Sequence, residues 1–352
     1  MTRVAVKASR QYDILIGQGL SAQIGSQAKA LFPKAEKAAV ITDSQVEALY
    51  LEPVKQALEK VGFEAPVFSF PPGEVSKSGA TYLSLLHWLT EQGLSRSDVI
   101  IALGGGVVGD VSGFAAATYL RGVPYVQMPT TLLAMVDSSI GGKTAINLTG
   151  GKNLAGTFYQ PALVLCDTDA LSTLPDTIYR DGLAEVIKYG MLGSRALLEA
   201  LDSQKPLDLE QVIALCVTMK RDIVEQDEFD LGQRMLLNLG HTIGHAIERL
   251  SGYSISHGAA VSIGMAIDTR SAVRGGLCPP DCLHMLERLL SRFHLPNRTN
   301  FSSENIYHAA LGDKKRSGEE ITIPVPRTLG QSELKTISTD RLLTWIERGL
   351  QP

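Results

Sequence analysis

The chain has 352 residues, 44% hydrophobic and 20% charged, with a formal net charge of −4. That length exceeds one ordinary compact core and favours two domains. The mild acidity argues against a general nucleic-acid binder, and apolar runs such as Val99-Ile-Ile-Ala-Leu103 are far shorter than a membrane span.

Met1-Thr-Arg-Val-Ala-Val reads as a first strand and lacks the apolar region of a signal peptide, so a cytoplasmic protein is expected. Short apolar runs predict further strands around 37–43, 65–70, 98–103, 125–128 and 163–166, with helical patterns at 82–89 and 111–117. Buried strands alternating with helices imply an α/β unit with a mostly parallel sheet. After Leu174-Pro175 the pattern changes. Apolar residues recur at helical spacing over roughly 181–201, 209–229, 234–250, 258–274 and 281–292, and strand-like runs are scarce apart from 320–325. The expected organisation is an α/β domain over 1–175 and a mainly α-helical domain over 176–352, with ligands between them. Cys166, Cys216, Cys278 and Cys282 are too few for a disulfide framework. No second Cys/His pair flanks Cys278-Pro-Pro-Asp-Cys282 to complete a zinc site, so incidental buried thiols are expected.

The glycine turn Gly104-Gly105-Gly106-Val107-Val108-Gly109-Asp110 follows an apolar strand and precedes a helical run, which is the context a G-x-G-x-x-G phosphate turn needs. Such a turn lets backbone approach a pyrophosphate, and the following helix offers free N–H groups. About 20 residues on, where a ribose-binding acid is expected, the chain reads Gln127-Met-Pro-Thr130; Asp43, ending an earlier strand, is the better candidate. The polar loops Pro72–Lys77 and Pro129–Thr131 point to the same dinucleotide. Asp137-Ser-Ser-Ile-Gly-Gly-Lys143-Thr resembles part of a P-loop but lacks its first glycine, which excludes ATP hydrolysis on that motif. Gly150-Gly-Lys152-Asn153 is a second glycine-rich loop. Together with Lys188, Lys220, Arg234, Lys314 and Lys315 it suits an anionic small substrate.

Three of the seven histidines lie in a short span: His241, His245 and His257. His241 and His245 are four apart and share a helical face, with Arg234 and Asn238 expected one and two turns earlier on the same stripe. Glu185 and Lys188 share another helix face. A catalytic zinc takes three protein ligands. Chemistry alone does not choose three from Glu185, His241, His245 and His257, although the i,i+4 histidine pair plus one other is the first expectation. A dinucleotide, a divalent metal and a polyanion together suggest hydride chemistry on a phosphorylated polyol or sugar acid.

These blocks, taken with Arg121-Gly-Val-Pro, Gly182-Leu-Ala-Glu-Val-Ile-Lys-Tyr-Gly190, Asn238-Leu-Gly-His-Thr-Ile-Gly-His-Ala246 and Asp313-Lys-Lys, resemble the 3-dehydroquinate synthase family in order and content. The resemblance implies NAD held by Asp43, Gly73, Glu74, Lys77, Gly105 through Asp110, Thr130, Thr131, Asp137, Lys143, Lys152 and the segment Ala170, Leu171, Ser172, Thr173. It implies zinc (or cobalt) on Glu185, His241 and His257, with His245 as a catalytic histidine or a neighbour of the ligands. Lys143, Lys152, Asn153, Lys188, Lys220, Arg234, Asn238 and Lys314 or Lys315 would grip a sugar-acid phosphate, and Arg121 would reach across a homodimer interface. Two positions depart from the family's pattern: Asp230 stands for a usual Glu in Asp230-Leu-Gly-Gln-Arg234, and Ala259 for a usual Glu after His257-Gly258. A sibling sugar-phosphate cyclase and an iron-dependent polyol dehydrogenase are the nearest rival readings.

Overall fold

The computed structural model describes residues 1–312 and 320–351. The chain divides into two compact units, Met1–Leu174 and Pro175–Pro352.

The first unit is built on strands β1 (Thr2–Lys7), β2 (Gln11–Gly17), β3 (Ala38–Asp43), β4 (Val67–Phe70), β5 (Val99–Gly104), β6 (Tyr125–Pro129) and β9 (Leu163–Asp167), in the order β1-β2-β9-β6-β5-β3-β4. Only β1 and β2 pair antiparallel; the other neighbours are parallel. β5 is buried along its whole length, as a strand covered on both faces must be. Its residues alternate: Ile101 and Leu103 join a core with Ile24 and Ala28 of α1 (Ile24–Leu31) and with Val54 and Leu58. Ile100 and Ala102 join Leu85, Leu89 and Val111 on the opposite face. Val54 and Leu58 lie on α3 (Glu52–Glu59), which a π-turn joins to the single turn α2 (Ser44–Val46). The opposite face is covered by α4 (Gly79–Glu91) and α5 (Gly106–Thr118). The chain runs from β3 outward to β4, then returns to the other side of β3 to lay down β5. That reversal is a topological switch point, where open α/β sheets bind ligands beyond the carboxyl ends of their strands. Asp43 and Gly104 end the two strands that flank it.

The sequence periodicity missed β2, whose Leu15 and Ile16 follow a polar start, and the hairpin of β7 (Lys143–Leu148) with β8 (Gly151–Phe158). Lys152 and Asn153 therefore stand at the start of a strand rather than in a glycine-rich loop; the loop shrinks to the tight connection before Gly151.

The second unit contains α6 (Asp176–Gly193), α7 (Arg195–Asp202), α8 (Leu209–Gln226), α9 (His241–Leu250), α10 (His257–Arg274), α11 (Pro280–Arg292) and α12 (Ser303–Leu311). It ends in the hairpin β10 (Glu320–Thr328) and β11 (Gln331–Ser338), followed by α13 (Thr339–Leu350). α10 is the central rod, buried from Ala260 to Ala272. The helix expected over 181–201 breaks at Ser194, whose side chain caps α7 by accepting from Leu197 N. The helix expected over 234–250 also breaks. Residues Gln233–Asn238 form a 3-10 turn, and Gly240 sits at φ 76° just before α9. A Cβ there would lie 2.7 Å from the Val261 carbonyl oxygen, so only glycine fits this left-handed, close-packed joint. No helix among the described residues is long and apolar enough to cross a membrane.

Candidate functional site

In the first unit the candidate residues gather at the carboxyl ends of the strands. Gly105 precedes α5 in an extended conformation, and the first intrahelical bond runs from Gly109 N to Gly105 O. The N–H groups of Gly106, Val107 and Val108 therefore lie in the helix's first turn, which has no preceding carbonyls to take them. Asp43 caps α2 through Oδ1, accepting from Gln45 N and Val46 N at 3.0 Å each. Thr130 N donates to Gly104 O, and Thr131 Oγ1 accepts from Ala134 N, so both threonines pin the turn after β6 beside the glycine turn. Asp137 lies in the π-turn Ala134–Ser138, and Ala170 to Thr173 lie in a 3-10 turn anchored by the Tyr50 hydroxyl, which donates to Ala170 O.

A polar chain runs through the same unit. The buried Lys77 ammonium pairs with Asp110 and donates to Asn153 Oδ1 at 2.5 Å. Asn153 N donates to Asn147 Oδ1 at 2.9 Å, and Asn147 Nδ2 donates to Glu74 Oε1 at 2.7 Å. Asn147 was not singled out as a site residue; its place two residues before the β7–β8 turn, beside Lys143-Thr, was the available signal. Gly73 has φ 99°, which lets the chain turn into the short helix bearing Glu74. Lys143 is exposed and Lys152 half-buried on the hairpin. Arg121 is exposed on a turn where both Leu120 and Arg121 have positive φ.

In the second unit, Glu185 and Lys188 occupy the buried middle of α6, His241 opens α9 and His257 opens α10. Glu185 Oε1 lies 3.3 Å from His241 Nε2 and 3.2 Å from His257 Nε2, and Lys188 pairs with the other carboxylate oxygen. The ligand atoms of Glu185, His241 and His257 all lie within 4.8 Å of one another. α10 reaches α6 because Gly258 has no side chain: a Cβ there would lie 2.3 Å from Asp181 Cα.

The electrostatics follow from burial against pairing. Burial alone would raise the Glu185 carboxyl, but Lys188 and His241 hold it well below the ordinary range. Burial, with Lys188 and His257 nearby, pushes His241 down to about 4, so its imidazole is neutral at pH 7. Burial also opposes charge on His257, yet hydrogen bonds to Glu185 and Glu248 outweigh it and carry the ring up to about 10.

The donor set fits a divalent metal. His241 Nδ1 donates to Leu239 O at 3.1 Å, which places the proton on Nδ1 and leaves the Nε2 lone pair toward Glu185. Two imidazoles and one carboxylate with ordered outer partners are a known three-ligand zinc set. His245, the other half of the i,i+4 pair, turns its Nδ1 to Glu248 Oε2 at 2.8 Å and forms a second group with Glu248 and His257.

Arg234 and Asn238 do not continue the histidine stripe, because Gly240 ends their 3-10 turn before α9 begins. Arg234 is instead held from the other side. Its Nη1 donates to Glu228 O at 2.5 Å, and its backbone N–H goes to Asp227, which also accepts from Leu231 N and Gly232 N. Lys220 is buried on α8. Lys314 and Lys315 lie outside the described residues.

Two buried carboxylates of this unit escaped the sequence reading. Glu248 was legible, three residues after His245 on the same helix. Asp268 was not. It accepts from Gly240 N at 3.2 Å and from Trp345 Nε1 at 2.8 Å, and no local pattern announces a partner 77 residues away. The four cysteines are free and buried.

Fold and clusters define a class first: two-unit α/β-plus-helical proteins with a glycine turn at a sheet switch point and a histidine–carboxylate cluster among helices. The chain belongs to the 3-dehydroquinate synthase family: residues 67–181 match the model for its N-terminal part and residues 182–316 that for its C-terminal part. It is 44% identical to a 3-dehydroquinate synthase of Enterococcus faecalis over 347 residues, 97% of each chain. Among solved structures it resembles 2-deoxy-scyllo-inosose synthase complexed with carbaglucose-6-phosphate, NAD+ and Co2+, at TM-score 0.89 and 26% identity over 99% of this chain and 100% of that one. It also resembles 2-epi-5-epi-valiolone synthase of Streptomyces hygroscopicus subsp. jinggangensis with NAD+ and Zn2+, at TM-score 0.88 and 27% identity over 99% of each.

Proposed function

We propose that the chain is a 3-dehydroquinate synthase of the shikimate pathway, a carbon–oxygen lyase that converts 3-deoxy-D-arabino-heptulosonate 7-phosphate to 3-dehydroquinate and phosphate. The observation that carries this reading is the convergence of His241 Nε2 and His257 Nε2 on Glu185, beside the buried Lys188. Identity of 44% to a named synthase, against 26–27% to the sibling cyclases, favours this substrate over theirs.

Glu185, His241 and His257 would hold Zn2+ or Co2+; Asp43, the N–H groups of Gly106 through Val108, and the Glu74–Lys77 and Thr130–Thr131 turns would hold NAD. When bound, NAD supplies reversible redox chemistry at C5 and the metal supplies Lewis acidity to the C5 oxygen. With that chemistry supplied, the substrate would be oxidised at C5, which would acidify C6–H; phosphate would leave C7, C5 would be reduced again, the ring would open, and the open chain would close by an intramolecular aldol step.

The chain's own residues bind and orient. Lys188 stands beside the ligand carboxylate, where a fixed ammonium stabilises charge growing on the C5 oxygen. Arg234 and Lys220 would grip the substrate carboxylate, a pairing that suits cations set in a poorly solvated interior. Lys143, Lys152, Asn153 and Asn238 would take phosphate and hydroxyls. His245, held at Nδ1 by Glu248, can receive or return a proton at Nε2. The substrate's own phosphate serves as base for C6, so few protein bases are needed. Exposed Arg121, held out by its left-handed turn, fits a role in a partner's site within a homodimer. Four free buried thiols fit a reducing cytoplasm.

The test is phosphate release from this substrate with NADH absorbance followed in parallel, with zinc present and after chelation. Metal-dependent release without net NADH supports the reading. Net NADH accumulation would mean a polyol dehydrogenase, and no release with NAD and zinc bound would mean a sibling cyclase.

A further inference from the structure

Glu248 is a buried carboxylate that does not touch the substrate in the reaction as described, yet it contacts more than His245. It sits in the last turn of α9, and its backbone carbonyl is fixed there by Tyr253 N at 2.8 Å and the Ser251 hydroxyl at 2.9 Å. One carboxylate oxygen, Oε2, faces two imidazoles at once: His245 Nδ1 at 2.8 Å and His257 Nδ1 at 3.4 Å. The two rings belong to different helices, with centroids 5.7 Å apart.

We propose that Glu248 is a positioning residue that sets the tautomer and ring direction of His245 and His257 together, a role that rests, for His257, on the metal reading above. A carboxylate only accepts, so each Nδ1 facing it carries the proton. Nε2 is then the free nitrogen on neutral His245, and on His257 it is the nitrogen left to give up its proton when a metal takes that place. On His257 that atom is the one 3.2 Å from Glu185. On His245 it is the one available for proton exchange with substrate. Free histidine in water prefers the proton on Nε2, which would leave both rings with the wrong nitrogen outward. Glu248 reverses that preference at both positions with one oxygen. A shared acceptor also ties the start of α10 to the body of α9, so the metal ligand and the proton-handling ring keep a fixed mutual orientation. Outer carboxylates of this kind typically change metal affinity 10–100-fold when removed.

The test uses full-length wild type, Glu248→Ala and Glu248→Gln, the last keeping an acceptor oxygen without charge. Two readouts are taken: zinc affinity by competition with a chromophoric chelator, and the ring-nitrogen chemical shifts of His245 in metal-free protein above pH 7.5. Expected are about 10–100-fold weaker zinc binding in Glu248→Ala, partial recovery in Glu248→Gln, and a shift of His245 from the Nδ1–H to the Nε2–H form in Glu248→Ala. Zinc affinity within twofold of wild type, or His245 unchanged in Glu248→Ala, overturns the proposal. So does a second zinc in the wild type that Glu248→Ala loses, since Glu248 would then be a ligand. Wild type that binds no zinc sinks the metal reading, while the His245 shifts still decide the role of Glu248. If Glu248→Ala does not fold, Glu248→Gln decides both readouts: a loss of Nδ1–H character supports the proposal, and wild-type behaviour in both overturns it.

Discussion

The two units build their candidate sites from different material. The first uses backbone: a glycine turn, the opening N–H groups of α5 and a capping aspartate at a switch point. The second uses side chains from three helices: the buried ion pair of Glu185 and Lys188 with the half-buried imidazoles of His241 and His257 against it. A backbone site is fixed once the sheet forms, and most single substitutions leave its donors in place. A side-chain site holds its charges in a poorly solvated interior, where removing one partner leaves the others uncompensated. The second unit should therefore concentrate the sensitivity to mutation and to pH.

Four substitutions break or sharpen that contrast. His241→Ala should have the largest effect, removing metal and turnover together by three orders of magnitude or more (on the order of 4 kcal/mol) while NAD affinity holds. Metal analysis, initial rates and NAD titration check it, and a comparable loss of NAD affinity would erase the contrast.

Asp268→Asn comes next. Burial pushes the Asp268 carboxyl up to about 7 against its hydrogen bonds from Trp345 and Gly240. With a folded value above the unfolded one, the folded state binds the extra proton. That stabilisation is full below about pH 4 and is lost as pH rises through 7. Denaturant unfolding of metal-free protein at pH 4.5 and 7.5 should show wild type losing on the order of a few kcal/mol more than the variant over that interval. Equal pH slopes would take Asp268 out of the account.

Gly258→Ala should cost about 1–3 kcal/mol of stability and weaken zinc binding, because its Cβ forces α10 off the α6 backbone. Melting and zinc competition report it; retained zinc affinity would show that the cluster tolerates a shift between the two helices.

Asp43→Ala should be mildest for the fold, about 1 kcal/mol from the lost cap, with weaker NAD binding and unaltered zinc affinity. Weaker zinc binding would mean that the units do not divide the work as described.

The same contrast explains what the sequence made legible. The glycine turn is contiguous and sits between a strand and a helix, so residues 103–117 display it whole. Most strands of the parallel sheet were readable because they are short, mainly apolar runs, whereas β2 and the β7–β8 hairpin mix polar and apolar positions. The histidine cluster was half legible. His241 and His245 advertise a shared face, but which of them meets Glu185 depends on where α6 and α10 lie, and no local spacing records that. The stripe through Arg234 failed on one residue, since a helical period runs on across Gly240 while the backbone does not. The link from Asp268 to Trp345 is a product of tertiary packing alone.

α6 also constrains how this chain can change over evolutionary time. Residues 182–192 are all buried, with the charged pair at their centre. Inserting or deleting a single residue ahead of Glu185 would turn everything beyond it by about 100° and slide it about 1.5 Å along the axis. Carboxylate and ammonium would then point into hydrocarbon, and hydrocarbon toward the histidines. Descendants of this sequence can therefore trade individual apolar side chains along α6, but its length ahead of Glu185 is effectively frozen, and variation in size is pushed to the exposed connections between helices.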